Sequence, residues 1–247
     1  MAKELEENLQ AVRRRVAAAC AASGRDPAGV RLVAVTKEVE PPLAHALARL
    51  GCLDLGESRV ADLERKARWC AGRPPAVRWH FLGHVQRNKA RRVVELADEI
   101  HSVDSARLLE TLSRHAQELG RRPAIWLQIK LTREPAKHGL EPAAVPALVA
   151  AARAGPLPLQ GLMTMAAPRE EEGLHGPPGA VFRALALLAA SLPAAAFAGG
   201  APRLDMGMSD DLEEAIRAGA HTIRVGRALF AGVGPGAPAA DDAGGER

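Results

Sequence analysis

One lysine stands where a short apolar run ends. Lys37 follows Leu32-Val33-Ala34-Val35-Thr36, a β-rich segment whose end we expect to meet solvent. A lysine amine that loses part of its hydration has a lowered pKa and can act as a nucleophile, forming Schiff bases with carbonyl compounds. The alternative is a lysine that only marks the point where the strand meets water. The position of Lys37 therefore permits amine chemistry without requiring it.

An arginine lies inside a second β-rich run, near the C-terminus. The two-residue period of a strand places Arg224 on one face with Thr222 and Gly226, and places Ile223 and Val225 on the other. A buried guanidinium is costly unless an acceptor meets it. Either an internal carboxylate or a ligand nitrogen, such as that of a pyridine ring, would be a suitable acceptor.

Two segments have features of anion-binding loops. Residues 206–211 (MGMSDD) precede a helical pattern, with Ser209 as the expected N-cap. The second segment, Gly226-Arg227-Ala228, begins with a glycine that lets backbone N–H groups approach an anion. Helix N-termini and loops of this kind often bind phosphate, although helix capping alone also accounts for the first segment. The two loops together are a candidate phosphate site.

These residues belong to a regular alternation of β-rich runs and helical patterns. Such alternation predicts a parallel sheet, and eight units in 247 residues favour a single α/β domain closed as a (β/α)8 TIM barrel. An open, doubly wound sheet is the alternative. Active sites of such barrels lie at the carboxyl ends of the strands. The expected strands are Arg31–Thr36, Cys52–Leu55, Trp79–Leu82, Glu99–Val103, Ile125–Leu131, Leu159–Met163, Arg203–Met206 and Thr222–Val225.

An extra helix precedes the barrel, and a loop-like tail follows it. Residues 4–22 carry apolar side chains at helical spacing. Residues 232–247 are small, polar and rich in glycine and proline, which predicts a flexible C-terminal tail. The expected barrel domain therefore covers residues 1–231.

Composition excludes several classes of function. The net charge of +4 is dispersed, and four Phe, three Trp and no Tyr offer little surface for stacking bases, so no nucleic-acid partner is expected. No apolar run approaches the roughly 18 residues that span a membrane, and the N-terminus lacks the apolar core of a signal peptide. Three cysteines without a C-x-x-C pattern favour neither a disulfide framework nor a zinc site. A reducing, cytoplasmic location is expected.

The chain also resembles a known family over nearly its whole length. The matching runs, in chain order, are LVAVTK at 32–37, LGES at 55–58, WHFLGHVQRNK at 79–89, HSVDS at 101–105, AKHGL at 136–140, GLMTMAAP at 161–168 and MGMSDDLEEAIRAGAHTIRVGRALF at 206–230. The WHFLG…Q-x-NK and MGMSDD…R-x-G patterns are the specific ones. On these residues the chain is similar to the YggS-like pyridoxal 5′-phosphate (PLP) homeostasis proteins. Their barrel is similar to the N-terminal domain of alanine racemase.

The resemblance implies that the chain binds PLP and carries or buffers it without robust catalysis. Lys37 would hold PLP as a Schiff base, and Arg224 would hydrogen-bond the pyridine nitrogen. Apart from PLP, the implied partners are PLP-accepting apo-enzymes, and the implied state is a monomer or weak dimer. No metal and no catalytic residue are expected. The other implied contacts are Ser209, Gly226 and Arg227 around the phosphate, and Ser58 and Met206 near the ring.

A PLP-dependent enzyme with weak racemase or lyase activity on amino acids is the alternative. An arginine does not protonate the pyridine nitrogen as an aspartic acid does, so the ring would be a poor electron sink. The related racemase uses a tyrosine from a second domain, and this chain has no tyrosine. Two further hypotheses are a Schiff-base barrel that works without PLP and a protein-interaction scaffold.

Several positions depart from the family pattern. Ser58-Arg59 stands in place of Asn-Tyr, Asp205 in place of serine, Arg227 in place of threonine, and His84 in place of proline. We hypothesise that the changes at 205 and 227 are linked. Arg227 would either offset the negative charge of the Asp205 carboxylate or bind the phosphate itself. The loss of Asn-Tyr is expected to remove or shorten one side-chain contact to the cofactor.

A second lysine could compete with Lys37. Lys130 alternates with apolar neighbours in the fifth expected strand, so its side chain could point into the barrel mouth. We favour Lys37 as the Schiff-base lysine.

Overall fold

The computed structural model describes residues 2–132, 138–167 and 176–233. Most of the expected tail, from residue 234 onward, lies outside the described residues.

Eight parallel strands form the centre of the molecule and close on themselves. Strand β1 pairs with β2 on one side and with β8 on the other, where Val33 is the register partner of Arg224. This closure confirms the barrel and excludes the open sheet. The strands are β1 (Arg31–Val35), β2 (Asp54–Glu57), β3 (Arg78–Phe81), β4 (Glu99–Val103), β5 (Ala124–Gln128), β6 (Leu159–Met163), β7 (Arg203–Asp205) and β8 (Thr222–Val225).

Helices connect the strands and surround the barrel. Their apolar faces pack against the outward side chains of the strands in one core cluster. None of the described helices is long and apolar enough to cross a membrane. The helices are α1 (Ala2–Ala22), α2 (Pro41–Arg49), α3 (Val60–Cys70), α4 (Ala90–Leu96), α5 (Ala106–Leu119), α6 (Val145–Ala154), α7 (Pro178–Ala190), α8 (Leu212–Arg217) and α9 (Arg227–Phe230).

Element boundaries differ from the sequence-based expectations by up to three residues. The expected strand at Cys52–Leu55 is found two residues later, because Cys52 and Leu53 belong to the turn that leads from α2 into β2. The expected strand at Ile125–Leu131 ends at Gln128, where the chain leaves the sheet. This earlier end places Lys130 in the loop after β5.

The extra N-terminal helix packs against the last elements of the barrel. The apolar stripe of α1 includes Leu5 and Leu9, which are fully buried, and each such leucine contributes about 1.5–3 kcal/mol of burial energy. Asn8 Nδ2 donates to the carbonyl oxygens of Leu229 (3.1 Å) and Ala231 (2.9 Å). Helix α1 therefore fixes the segment that follows β8, where two of the expected phosphate contacts lie.

Candidate functional site

Lys37 lies two residues beyond the end of β1, at the mouth formed by the carboxyl ends of the strands. Its side chain is 54% exposed, and its amine is 3.5 Å from Glu38 Oε1. The amine is therefore solvated, in contrast to the partly dehydrated lysine that the sequence suggested. It is free to reach a carbonyl group at the mouth.

A buried ion pair supports the strand end that carries Lys37. The Lys66 side chain is fully buried in α3, and its amine donates to the carbonyl oxygen of Thr36 and to Glu57 Oε1. The Thr36 hydroxyl donates to the same carboxylate oxygen at 2.6 Å. This buried group was not predicted from the sequence. Its signal was a charged residue, Lys66, at a position whose helical neighbours Leu63 and Cys70 are apolar.

Arg224 points into the barrel from β8, as the two-residue period predicted, and it is 5% exposed. Its Nε donates to Asp205 Oδ1 at 2.8 Å, and one Nη donates to the carbonyl oxygen of Thr164 at 2.7 Å. Of the two acceptors that the sequence left open, the internal carboxylate is present. The guanidinium has a second Nη group, which neither of these bonds uses.

Asp205 is one end of a polar chain that crosses the barrel interior. Its Oδ2 is 2.6 Å from His101 Nδ1, and His101 Nε2 is 2.9 Å from His80 Nδ1. His80 Nε2 is in turn 2.9 Å from Asp54 Oδ1. Asp54 also accepts two hydrogen bonds from the guanidinium of Arg78. This network of hydrogen-bonded side chains thus connects the amino-terminal end of the barrel with Arg224 at the mouth.

The hydrogen bonds of this network determine how many protons the two histidine rings carry together. An ionised carboxylate only accepts, so the ring nitrogens beside Asp54 and Asp205 must both carry protons. The two remaining nitrogens, 2.9 Å apart, then need one further proton between them. The arrangement is satisfied when one of the two rings carries both of its protons and the other ring is neutral, so the pair holds a single positive charge.

The pKa directions agree with this assignment. Burial opposes ionisation of Asp205, but the nearby charges of Arg224 and His101 more than compensate and lower its pKa. Burial lowers the pKa of His101, and the charge of His80 adds to that effect. Asp54 likewise has a lowered pKa despite its burial, because Arg78 and His80 donate to it.

Glu99 lies beside the two histidines and completes the buried polar group. Its Oε2 accepts a hydrogen bond from Trp126 Nε1 at 2.8 Å, and the Trp126 ring stacks on His101 with centroids 5.2 Å apart. Burial opposes ionisation of Glu99, but the charges of His80, His101 and Arg31 lower its pKa overall. Trp126 and Glu99 therefore fix the plane of the His101 ring.

The loop after β7 is held differently from the sequence-based expectation. Helix α8 begins at Leu212, so Ser209 is not its N-cap. Asp211 stabilises this loop instead, because its Oδ1 accepts a hydrogen bond from the backbone N–H of Met208 at 2.6 Å. Ser209 instead faces the loop after β8, where its hydroxyl is 3.4 Å from the N–H of Ala228. The two loops proposed to bind phosphate are thus in direct contact.

Met206 and Gly207 give this loop its shape. Met206 is fully buried, consistent with a packing role beneath the mouth. Gly207 has φ +97°, and a Cβ atom there would lie 2.4 Å from Cβ of Ala215. Only glycine fits this turn without strain.

Gly226 and Arg227 follow β8 directly. A Cβ atom on Gly226 would lie 3.2 Å from the carbonyl oxygen of Val35, so this loop runs close to the end of β1. Arg227 is largely exposed and forms an ion pair with Asp210. The hypothesis that Arg227 offsets Asp205 is wrong, because the Asp205 carboxylate is already occupied by Arg224 and His101.

Ser58 follows β2 and lies at the same end of the barrel. It is partly exposed and borders a surface cleft of about 790 Å³, which Phe81 and His84 also line. Its carbonyl oxygen closely faces Gly83, where a Cβ atom would lie 2.0 Å away. Ser58 is therefore held at the mouth, between the ends of β2 and β3.

Comparison with known proteins places the chain among relatives of similar length. The family model "Alanine racemase, N-terminal domain" matches residues 3–233. A "Pyridoxal phosphate homeostasis protein" of Pseudomonas aeruginosa is 37% identical over 237 residues, covering 95% of this chain and 98% of the relative. A protein of the same description from Deinococcus radiodurans is 39% identical, covering 85% of this chain and 93% of the relative.

A solved structure adds a bound ligand to the comparison. PipY of Synechococcus elongatus, described as a COG0325 family member with PLP bound, superposes with a TM-score of 0.76. The two chains are 34% identical, and the match covers 92% of this chain and 99% of PipY.

Proposed function

Because the chain belongs to the pyridoxal phosphate homeostasis proteins, a family with the alanine racemase N-terminal domain, we propose that it binds PLP as a Schiff base on Lys37. It carries or buffers the cofactor and supplies it to PLP-accepting apo-enzymes. When bound, PLP supplies an aldehyde that condenses reversibly with amines.

One observation carries this proposal: an exposed lysine amine and a fixed, inward-pointing guanidinium lie on neighbouring strands at one barrel mouth. Lys37 follows β1, and Arg224 lies on β8, its partner strand. The residues fit the cofactor chemically. Lys37 supplies the amine for the aldehyde, and the second Nη of Arg224 supplies a donor for the pyridine nitrogen.

The phosphate would lie against the loops after β7 and β8. Backbone N–H groups of Ser209, Gly226 and Arg227 are the proposed donors, supported by the contact between the two loops. Ser58 and Met206 are proposed to lie near the ring. Arg15 Nη2 donates to the carbonyl oxygen of Ser209 at 2.9 Å, which ties this loop to α1.

The same residues support a carrier more than a catalyst. Arginine stays protonated at any physiological pH, so Arg224 donates a hydrogen bond to the ring nitrogen without transferring a proton. The chain has no tyrosine to act as an opposite-face acid or base. The described cysteines are free and buried, which supports the reducing environment of the cytoplasm.

Transfer and turnover assays separate a carrier from a weak enzyme. PLP-loaded protein is mixed with an apo-form of a PLP enzyme, and recovery of that enzyme's activity is followed. In parallel, α-proton exchange of amino acids is measured in deuterated water. We expect transfer, and no exchange above the level given by free PLP.

Lys37→Ala is the test variant for both assays, and Lys130→Ala is its matched control. A carrier predicts that only Lys37→Ala changes loading and transfer. Exchange that greatly exceeds the free-PLP rate and disappears in Lys37→Ala would establish the weak enzyme instead.

A further inference from the structure

Three side chains that could bind a metal ion meet at the mouth, on the side opposite β1 and β8. His84 follows β3, Asp104 follows β4, and His138 follows β5. One ligand atom from each lies within 4.8 Å of the others. We call these three residues the rim cluster. No part of the proposed PLP site uses it.

The rim cluster has the donor set of a transition-metal site. His84 Nδ1 is 3.3 Å from Asp104 Oδ2, and the rings of His84 and His138 stack with centroids 4.3 Å apart. Two imidazoles and one carboxylate are suitable ligands for Zn²⁺ and Co²⁺, and they leave a further coordination position for water. In a tetrahedral site with bonds of about 2.0–2.1 Å, ligand atoms lie roughly 3.4 Å apart.

The backbone on the His84 side is rigid. Ser102 Oγ donates to the carbonyl oxygen of Gly83 at 2.5 Å, which ties the β3 loop to β4. Gly83 packs so closely on Ser58 that a side chain would not fit. His84 and Asp104 are therefore held about one ligand-to-ligand distance apart before any ion binds.

The His138 side is held by β5. Gln128 Nε2 donates to the carbonyl oxygen of His138 at 2.8 Å, and the backbone N–H of Leu140 donates to the carbonyl oxygen of Gln128 at 2.8 Å. These bonds fix the His138 backbone and leave its ring free to rotate. Because the His84 and His138 side chains are exposed, rotation of one ring out of the stack is inexpensive.

We propose that the rim cluster binds one divalent transition-metal ion, with Zn²⁺ as the best match to its ligands. Access is open, because His84 borders the cleft of about 790 Å³ beside Ser58. The open coordination position would face solvent.

A second group of metal-binding residue types, His80, Glu99 and His101, is a poorer site. Both ring nitrogens of each histidine are already hydrogen-bonded, and the group is buried inside the barrel. An ion would have to displace the proton between the rings and enter through packed side chains. The two groups can be distinguished by mutation.

Metal titration of the untagged, full-length, PLP-free protein tests the proposal. Zn²⁺ binding is measured by calorimetry, and Co²⁺ binding by its visible absorbance. We expect one equivalent to bind to the wild type, and at least a tenfold loss of affinity in His84→Asn, Asp104→Asn and His138→Asn. Thermal unfolding of each variant without metal verifies that it is folded.

His115→Asn is the matched control, because His115 is also a histidine beside a carboxylate, 3.0 Å from Glu118 on α5. It should leave affinity unchanged. Absence of stoichiometric binding in the wild type would overturn the proposal. So would binding that persists in both His84→Asn and His138→Asn, since the ion would then lie elsewhere.

Discussion

The two sides of the barrel mouth hold their charged groups in opposite ways. On the β1–β2 side, the Lys37 amine is exposed and has one carboxylate, Glu38, 3.5 Å away. On the β7–β8 side, Arg224 is buried and fixed by Asp205 and by the carbonyl oxygen of Thr164. We call the β1–β2 side the mobile side, because the Lys37 side chain is exposed to solvent. We call the β7–β8 side the locked side, because hydrogen bonds hold the Arg224 guanidinium in one orientation.

This difference suits a protein that binds a cofactor and gives it up. Under the proposed function, the locked side would supply recognition, because the guanidinium is already oriented and loses little freedom on binding. The mobile side would supply a covalent bond that forms and breaks with an amine open to water. Beneath Lys37, however, the strand end itself is fixed by Glu57 and Lys66, so mobility is confined to the side chain.

Breaking the buried pair under Lys37 should have the largest effect on stability. Lys66→Met leaves the Glu57 carboxylate buried without its counter-charge, which costs about 3–5 kcal/mol in the free energy of unfolding. Urea denaturation measures this loss. The double variant Glu57→Gln with Lys66→Met should recover most of it. A loss below about 1 kcal/mol in Lys66→Met would show that the pair does not support the strand end.

A change on the locked side should lower both stability and affinity, by smaller amounts. Asp205→Ser removes the carboxylate from Arg224 and His101 and leaves a small hydroxyl group in its place. We expect a loss of about 2–3 kcal/mol in the free energy of unfolding. PLP affinity should fall about tenfold, which is 1.4 kcal/mol, while the absorbance of the Lys37 adduct keeps its shape. Unchanged affinity would mean that the orientation of Arg224 does not matter for binding.

Acid should act mainly through the buried carboxylates inside the barrel. Asp205 and Glu99 have lowered pKa values in the folded protein, so each contributes stability that is complete above the ordinary pKa of about 4. That contribution is lost as the pH falls through the lowered values. Denaturation at a series of pH values should show the loss, and Asp205→Asn should make it shallower. An unchanged pH dependence in Asp205→Asn would show that protonation of Asp205 does not cause the loss of stability in acid.

The smallest effect is expected at the exposed arginine of the β8 loop. Arg227 pairs with Asp210 in solvent, and such pairs contribute about 0–1 kcal/mol. Arg227→Thr should therefore change PLP affinity less than about fivefold, as measured by fluorescence or absorbance titration. A much larger loss would place the Arg227 guanidinium on the phosphate.

Much of this arrangement was predictable from local patterns. Alternating strands and helices predicted the barrel, and the period of β8 predicted that Arg224 points inward. The same two-residue period, applied to β3 and β4, would have placed His80 and His101 inside the barrel. It could not have paired them, because the contacts of His101 and Asp205 join residues 104 positions apart.

Two sequence-based predictions failed for a related reason. Both assigned partners to the residues at 205–211 from chain proximity or charge alone. In the folded chain, Asp211 accepts from Met208 where Ser209 was expected to cap, and Asp205 faces the barrel interior, away from Arg227. Which partner a polar side chain meets depends on the register of distant strands, and local spacing does not encode it.

The central claim is that Lys37 holds PLP, and the most direct test is to trap that bond. Wild-type protein, Lys37→Ala and Lys130→Ala are mixed with PLP, their visible spectra are recorded, and the adducts are reduced with borohydride for peptide mapping. The account predicts a visible Schiff-base band in the wild type and in Lys130→Ala, a reduced adduct on Lys37, and neither band nor adduct in Lys37→Ala. A band that survives in Lys37→Ala, or an adduct mapped to Lys130, would contradict it.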